Sequence, residues 1–202
     1  MPEVLRRIEA VRQFRLLSKS APTRELAETP TRFHVENIPK GNYLVIPETS
    51  SENRRYIPIG FVDPRIVASN AVKIMPDATP YHFGVLESEM HMTWMRAVAG
   101  RLESRYRYSK DIVYNNFPWP EKPSDAQKKA VEEAAQAVLD ARAKHESATL
   151  ADLYDPNTMP ADLLKAHKAL DKAVDACYGV KGFKSEPERL EFLFERYKDL
   201  IK

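Results

Sequence analysis

The sequence predicts an α+β fold in three parts: an N-terminal helix, an irregular, Pro-punctuated mixed α/β module, and a C-terminal three-helix bundle. Three observations carry this. Eight of the 15 prolines fall between residues 20 and 85, where they separate short apolar runs. Pro has no N–H to give to a ladder, so such runs are confined to strand ends and sheet edges. From residue 123 onward apolar residues recur at helical spacing behind capping sequences. Residues 2–19 show a similar helical spacing on their own.

Taken in order, Pro2 suits a first helical turn, and Val4, Leu5, Ile8, Val11 and Leu16 fall roughly on one helical face. A helix of this kind needs something to pack against, whether the rest of this chain or another segment. Tyr43–Ile46, Tyr56–Ile59 and Val72–Met75 read as short strands bounded by turns, and Tyr81–Leu86 as a further one. Met90–Leu102 reads as a helix carrying Met90, Trp94, Val98 and Leu102 on one face. Ser124 to Gln127 is a capping box that opens a helix with Val131, Ala134, Ala135, Val138 and Leu139 inward. A second helix spans about Pro160 to Tyr178, with Leu163, Leu164, His167, Leu170, Val174 and Cys177 in phase and Gly179 as its cap. Ser185–Glu188 starts a third, with Leu190, Leu193, Phe194, Tyr197 and Ile201 inward. The expected divisions are residues 1–20, 21–122 and 123–202.

The totals narrow the function classes. With 202 residues, 43% hydrophobic and 30% charged, the chain has the composition of a soluble globular protein. A net charge of +2 does not by itself mark a nucleic-acid binder. No apolar run is long enough to span a membrane, and no apolar signal core opens the chain. The lone Cys177 excludes an internal disulfide and suits a reducing cytoplasm.

Against this balanced background one stretch stands out. Between Arg96 and Lys110 there are five basic residues (Arg96, Arg101, Arg105, Arg107, Lys110) and one acid, Glu103. On an extended chain Glu103, Arg105 and Arg107 would share a face. A carboxylate beside guanidinium forks can read a C·G pair in the major groove, accepting from cytosine N4 and donating twice to guanine. The same spacing also describes a surface ion pair worth about 0–1 kcal/mol. Arg54 and Arg55, among Ser50, Ser51 and Asn53, form a second basic, polar loop of the type that contacts phosphates, or a solvated loop tip.

Catalytic chemistry is absent from the pattern. The five histidines are scattered without Zn-ligand spacing, and His167 on an apolar helix face reads as a core histidine. No Gly-rich turn joins a strand to a helix. Asn115–Pro120 mixes the letters of the tetrapeptide with which amino-methyltransferases hold a flipped adenine, but in the wrong order. It reads as a structural turn with Phe117 and Trp119 packed inward.

Several runs resemble a known family. Arg54–Phe61, Tyr81–Leu86 with Met90–Val98, Gly100–Leu102 with Tyr106–Pro120, and Leu150–Pro156 with the helices beyond are similar to the C-terminal portion of MmeI-like (type IIL) restriction–modification enzymes. The resemblance covers nearly the whole chain. It implies a DNA target recognition domain over 21–122, a C-terminal helical domain over 123–202, and a connector helix leaving an adenine-N6 methyltransferase. On the matching positions it implies that Glu103 and Arg105 read one base pair, where some members carry Lys and Asp. It also implies that Arg107 and Ala71 read another, Ala71 by being small. Ser109 and Lys110 join Arg54 and Arg55 as candidates for the DNA backbone. The implied partner is double-stranded DNA, together with methyltransferase and endonuclease domains of the same polypeptide in a bacterial cytoplasm. No cofactor is expected in this chain, S-adenosylmethionine and Mg belonging to the other domains. A rival reading is a helical protein-interaction module without base readout.

Overall fold

The computed structural model describes all 202 residues. They form two compact units, Met1–Ile38 and Pro39–Lys202. In the first, α1 (Pro2–Leu16) is followed by a short α2 (Ala21–Glu25) and a 3₁₀ turn at Leu26–Glu28. The Arg15 guanidinium ties α1 to the 3₁₀ turn and the residues after it, donating to the carbonyls of Leu26 (2.8 Å), Thr29 (2.9 Å) and Arg32 (2.6 Å). No residue of α1 is buried, and Val4, Leu5, Val11 and Leu16 lie exposed.

The second unit holds two three-stranded antiparallel sheets. The first has the order β3 (Gly60–Val62), β1 (Tyr43–Pro47), β4 (Val72–Met75). The second has the order β2 (Thr49–Ser50), β6 (Arg105–Arg107), β5 (Gly100–Leu102). In the chain between the two sheets' strands, α3 (Pro80–Leu86) and α4 (Glu89–Val98) bring their apolar faces to the core, with Phe83, Leu86, Met90, Met92, Trp94 and Met95 buried.

Two expected strands are replaced. Tyr81–Leu86 belongs to α3: Pro80 occupies its first turn, and His82 Nδ1 accepts the Thr79 N–H at 3.1 Å. Phe83, Gly84, Val85 and Leu86 are all buried, and a helix apolar on every side loses the periodicity that separates it from a strand. Tyr56–Ile59 is an irregular buried segment that leads into β3. Pro58 interrupts its donors; the Ile57 N–H goes to Met92 Sδ (3.4 Å), and the Ile59 N–H turns back to the Ile57 carbonyl (2.8 Å) and also reaches Glu87 Oε2 (3.3 Å). The helix expected over Met90–Leu102 ends at Val98, because Ala99 turns extended and residues 100–102 pair with β6. Leu102, expected on the inward face, is exposed.

The three expected C-terminal helices are present as α5 (Asp125–Ala143), α7 (Ala161–Cys177) and α8 (Glu186–Leu200), with a one-turn α6 (Leu150–Leu153) between the first two. The capping box of α5 forms as its sequence predicts: Ser124 Oγ accepts the Gln127 N–H, and Gln127 Oε1 accepts the Ser124 N–H. Gly179, with φ of 75°, follows α7 in the left-handed conformation that glycine adopts without strain. Helix α5 runs along α7. Helix α8 sits on α4, its Phe194 and Tyr197 rings 5.5 and 5.4 Å from Trp94. The apolar faces of these helices therefore meet the middle residues in one continuous core, and position 122/123 lies inside the second unit rather than between two separate cores.

Polar groups in that core are bonded in chains. Arg142 is paired with Glu87 at 2.7 Å and donates to the Ile59 carbonyl (2.6 Å) and to Tyr154 Oη, which meets His167 Nε2 at 2.7 Å. Burial pushes Glu87 up, to about 8, against the pull of Arg142. His167 stacks on Tyr56 at 4.1 Å, and burial pushes its pKa down to about 3. It is a core histidine bonded through Nε2, while Nδ1 has no partner.

Candidate nucleic-acid interface

The basic stretch folds into a hairpin. Leu102 pairs with Arg105, Arg101 with Tyr106 and Gly100 with Arg107, which leaves Glu103 and Ser104 as a two-residue turn. Glu103 sits at the tip with φ of 58°, a positive value of the kind tight hairpins require at their first turn position. It is therefore not on an extended face with Arg105 and Arg107, as the spacing suggested. Tyr106 sets the register: it must be buried, and it is flanked by Ser50 on one strand and Arg101 on the other, so the strand begins only at Arg105. The turn itself brings the acid back. Glu103 Oε2 and Arg105 Nη2 are 2.7 Å apart, both largely exposed. Arg105 and Arg107 do share a face, two residues apart across buried Tyr106.

Glu48, which sequence reasoning passed over, is the joint of this face. It lies between β1 and β2, where the chain leaves one sheet and enters the other. Its N–H donates to the Ala71 carbonyl at 2.9 Å, and its own carbonyl accepts from the Tyr108 N–H at 2.7 Å. Its carboxylate meets Lys73 Nζ at 3.1 Å and Arg107 Nε at 3.3 Å, and these two cations, Lys73 foremost, hold its pKa below the usual carboxylate range. Ala71 and Arg107, distant in sequence, thus flank one acid. A lone Glu between two short strands carries no pattern from which this could be read.

Beside it an open groove of about 620 Å³ is lined by Glu48, Lys73, Arg107, Ser109 and Lys110, among others. Ser109 Oγ is engaged, accepting the Ile112 N–H at 3.4 Å to cap a π-helical turn at Lys110–Tyr114. Lys110 is exposed, with Asp111 at 3.4 Å.

Arg54 and Arg55 lie in the loop that leaves β2, and Glu52 of the same loop reaches Arg101 of the hairpin at 3.8 Å. Arg55 is more committed than its sequence context suggested. Its Nε holds Glu89 at 3.0 Å, and its carbonyl accepts from Arg96, which also pairs with Glu89 and with Glu186 of α8. The aromatic turn is structural: Phe117 is buried edge-on to His91, and Tyr178 Oη donates to the Pro118 carbonyl. The fold gathers no group of three or more His, Cys, Asp or Glu side chains that could hold a metal ion. No helix is long and apolar enough to cross a membrane.

The arrangement is a hairpin within a three-stranded sheet, with an acid at its turn and two guanidinium groups on one exposed face. Residues 1–121 match the family description "MmeI, target recognition domain", and residues 123–202 match "MmeI, C-terminal domain". DNA methyltransferase A of Bacillus subtilis (strain 168) is 42% identical over 199 residues, which are 98% of this chain and 22% of that protein. The type IIL restriction–modification enzyme MmeI, solved in complex with DNA, superposes with a TM-score of 0.91 at 56% identity, covering 98% of this chain and 26% of that one. The chain spans about a quarter of the length of these relatives. It belongs to the MmeI family, of which it comprises the target recognition and C-terminal domains.

Proposed function

We propose that this chain recognises a specific sequence in double-stranded DNA and holds the duplex for a catalytic domain elsewhere in a longer polypeptide. That domain would be an adenine-N6 methyltransferase, which must extrude its target base from the stack to reach it. An endonuclease would accompany it. S-adenosylmethionine and Mg would be held there, with this chain non-catalytic and the whole acting in the cytoplasm. The carrying observation is the β5–β6 hairpin, which projects Glu103, Arg105 and Arg107 outward in a chain of the MmeI family.

In the free protein Glu103 and Arg105 bond each other. Exposed pairs of this kind are worth about 0–1 kcal/mol, so re-aiming the two side chains onto base edges costs little. Glu103 accepts from cytosine N4 and Arg105 donates to guanine, which discriminates against the wrong pair by about 1–3 kcal/mol. Arg107 and Ala71, held on either side of Glu48, serve a neighbouring base pair. Arg54, Arg55, Ser109 and Lys110 face the phosphates, Arg55 and Ser109 with less freedom because each already has a partner. Helix α1, with its apolar side chains uncovered, suits a connector to the catalytic part.

The test is binding of the chain to duplex DNA as salt is raised. Contacts to several phosphates make log affinity fall steeply and linearly with log salt. A salt-insensitive association, or none, would instead favour a helical protein-docking module.

A further inference from the structure

We infer that Arg101 is a positioning residue for base reading: from behind the β5–β6 hairpin it fixes the turn that presents Glu103 and Arg105. The inference rests on the hairpin being the base-contacting element, as proposed above. Arg101 stands directly across the ladder from Tyr106, and directly opposed residues of an antiparallel pair project from the same face. Tyr106 is buried, whereas the pairs Leu102–Arg105 and Gly100–Arg107 belong to the other face. Of the three arginines on the two strands, Arg101 is thus the one turned away from the reading side.

Its contacts are all to the hairpin and its support. The guanidinium lies 3.9 Å over the Tyr106 ring, Nη1 donates to the Ser104 carbonyl at 2.8 Å, and Glu52 Oε2 approaches to 3.8 Å. A planar guanidinium can lie flat on the ring while its edge donates in a fixed direction, whereas an ammonium is a point charge without that fork. The bonded carbonyl belongs to the second turn residue. The first, Glu103, holds a positive φ, which a residue with a side chain keeps only where its surroundings enforce it. Released from Arg101, the turn relaxes, and the carboxylate and the Arg105 fork lose their fixed register against a base pair. Productive geometry at such sites tolerates displacements of only about 0.5 Å.

Duplexes selected from a random pool by the 202-residue chain test this, using the parent, Arg101→Met, Arg101→Lys and the exchange Glu103→Lys/Arg105→Asp. The exchange identifies the base pair that the turn reads. At that pair alone, both Arg101 variants should lose roughly tenfold in discrimination, with other positions and the salt slope unchanged. A uniform loss of affinity in Arg101→Met with a salt slope smaller by about one phosphate, restored by Arg101→Lys, would make Arg101 a backbone contact and overturn the inference. Unchanged selection by both variants would overturn it as well. Failure of the exchange to alter any position would instead remove the base-reading role on which the inference stands.

Discussion

Gly84 is where α3 meets α5 and α7, and replacing it with Ala tests whether residues 39–202 share one core. A Cβ at Gly84 would lie 2.7 Å from Val131 Cγ1 and 3.2 Å from both Ala135 Cβ and Leu170 Cδ1. Ala135 has no rotamer to change, and a β-branched Val in a helix has essentially one. The accommodation must come from α3 moving off α5. Overpacking of this kind costs about 1–3 kcal/mol, and the gain of Ala over Gly in a helix returns about 1 kcal/mol. The net expectation is a loss of about 0–2 kcal/mol, or a fall of up to roughly 8 °C in Tm for a unit of this size. Urea unfolding followed by the fluorescence of Trp94, which packs on α8, should show one transition with a lower midpoint and an unchanged slope. Gly60→Ala is the control: its added Cβ meets nothing within 4 Å, so its stability should stay within about 0.5 kcal/mol. A Gly84→Ala chain that is stabilised, or that unfolds in two steps, would refute the shared core.

The buried polar groups give two further expectations. Arg142→Met leaves the fully buried Glu87 carboxyl, the Ile59 carbonyl and Tyr154 Oη without their shared donor and should cost about 3–5 kcal/mol, measured by the same unfolding; a loss below about 1 kcal/mol would show the network to be dispensable. Burial holds His91 neutral, pushing its pKa down to about 3, while Nε2 meets Tyr108 Oη at 2.9 Å. An unfolded histidine titrates near 6.5, so this stability is complete above that pH and is lost as pH falls below it. Relative to His91→Gln, the parent chain should lose about 2 kcal/mol between roughly pH 7.5 and 5.0; parallel pH profiles would contradict a neutral His91.

How much of this was legible in the sequence differs by element. Helices with an exposed side, such as α5 and α7, announced themselves, because a wet face leaves a 3.6-residue period and capping residues mark the start. Helix α3 was hidden for the opposite reason: Phe83 to Leu86 are buried all round, so nothing in their order separates helix from strand. Tyr56–Ile59 misled because Ile57 donates to Met92 and Ile59 turns back on the Ile57 carbonyl beside Glu87, so no ladder forms and the distant contacts are encoded in no local pattern. At the candidate site, the association of Glu103 with Arg105 was legible as composition but not as geometry. Alternation assumed an extended chain, and the demand to bury Tyr106 converted it into a turn. Glu48 and Lys73 were invisible, since their places depend on where one sheet hands the chain to the other.

The most direct measurement is the methylated motif of the longer polypeptide that carries this chain, with native Glu103 and Arg105 and with Glu103→Lys/Arg105→Asp. Exchanging donor and acceptor on the hairpin should convert one position of the motif from C to G and leave the others unchanged. A fully active exchanged enzyme that methylates the original motif would show that these two side chains do not read the DNA.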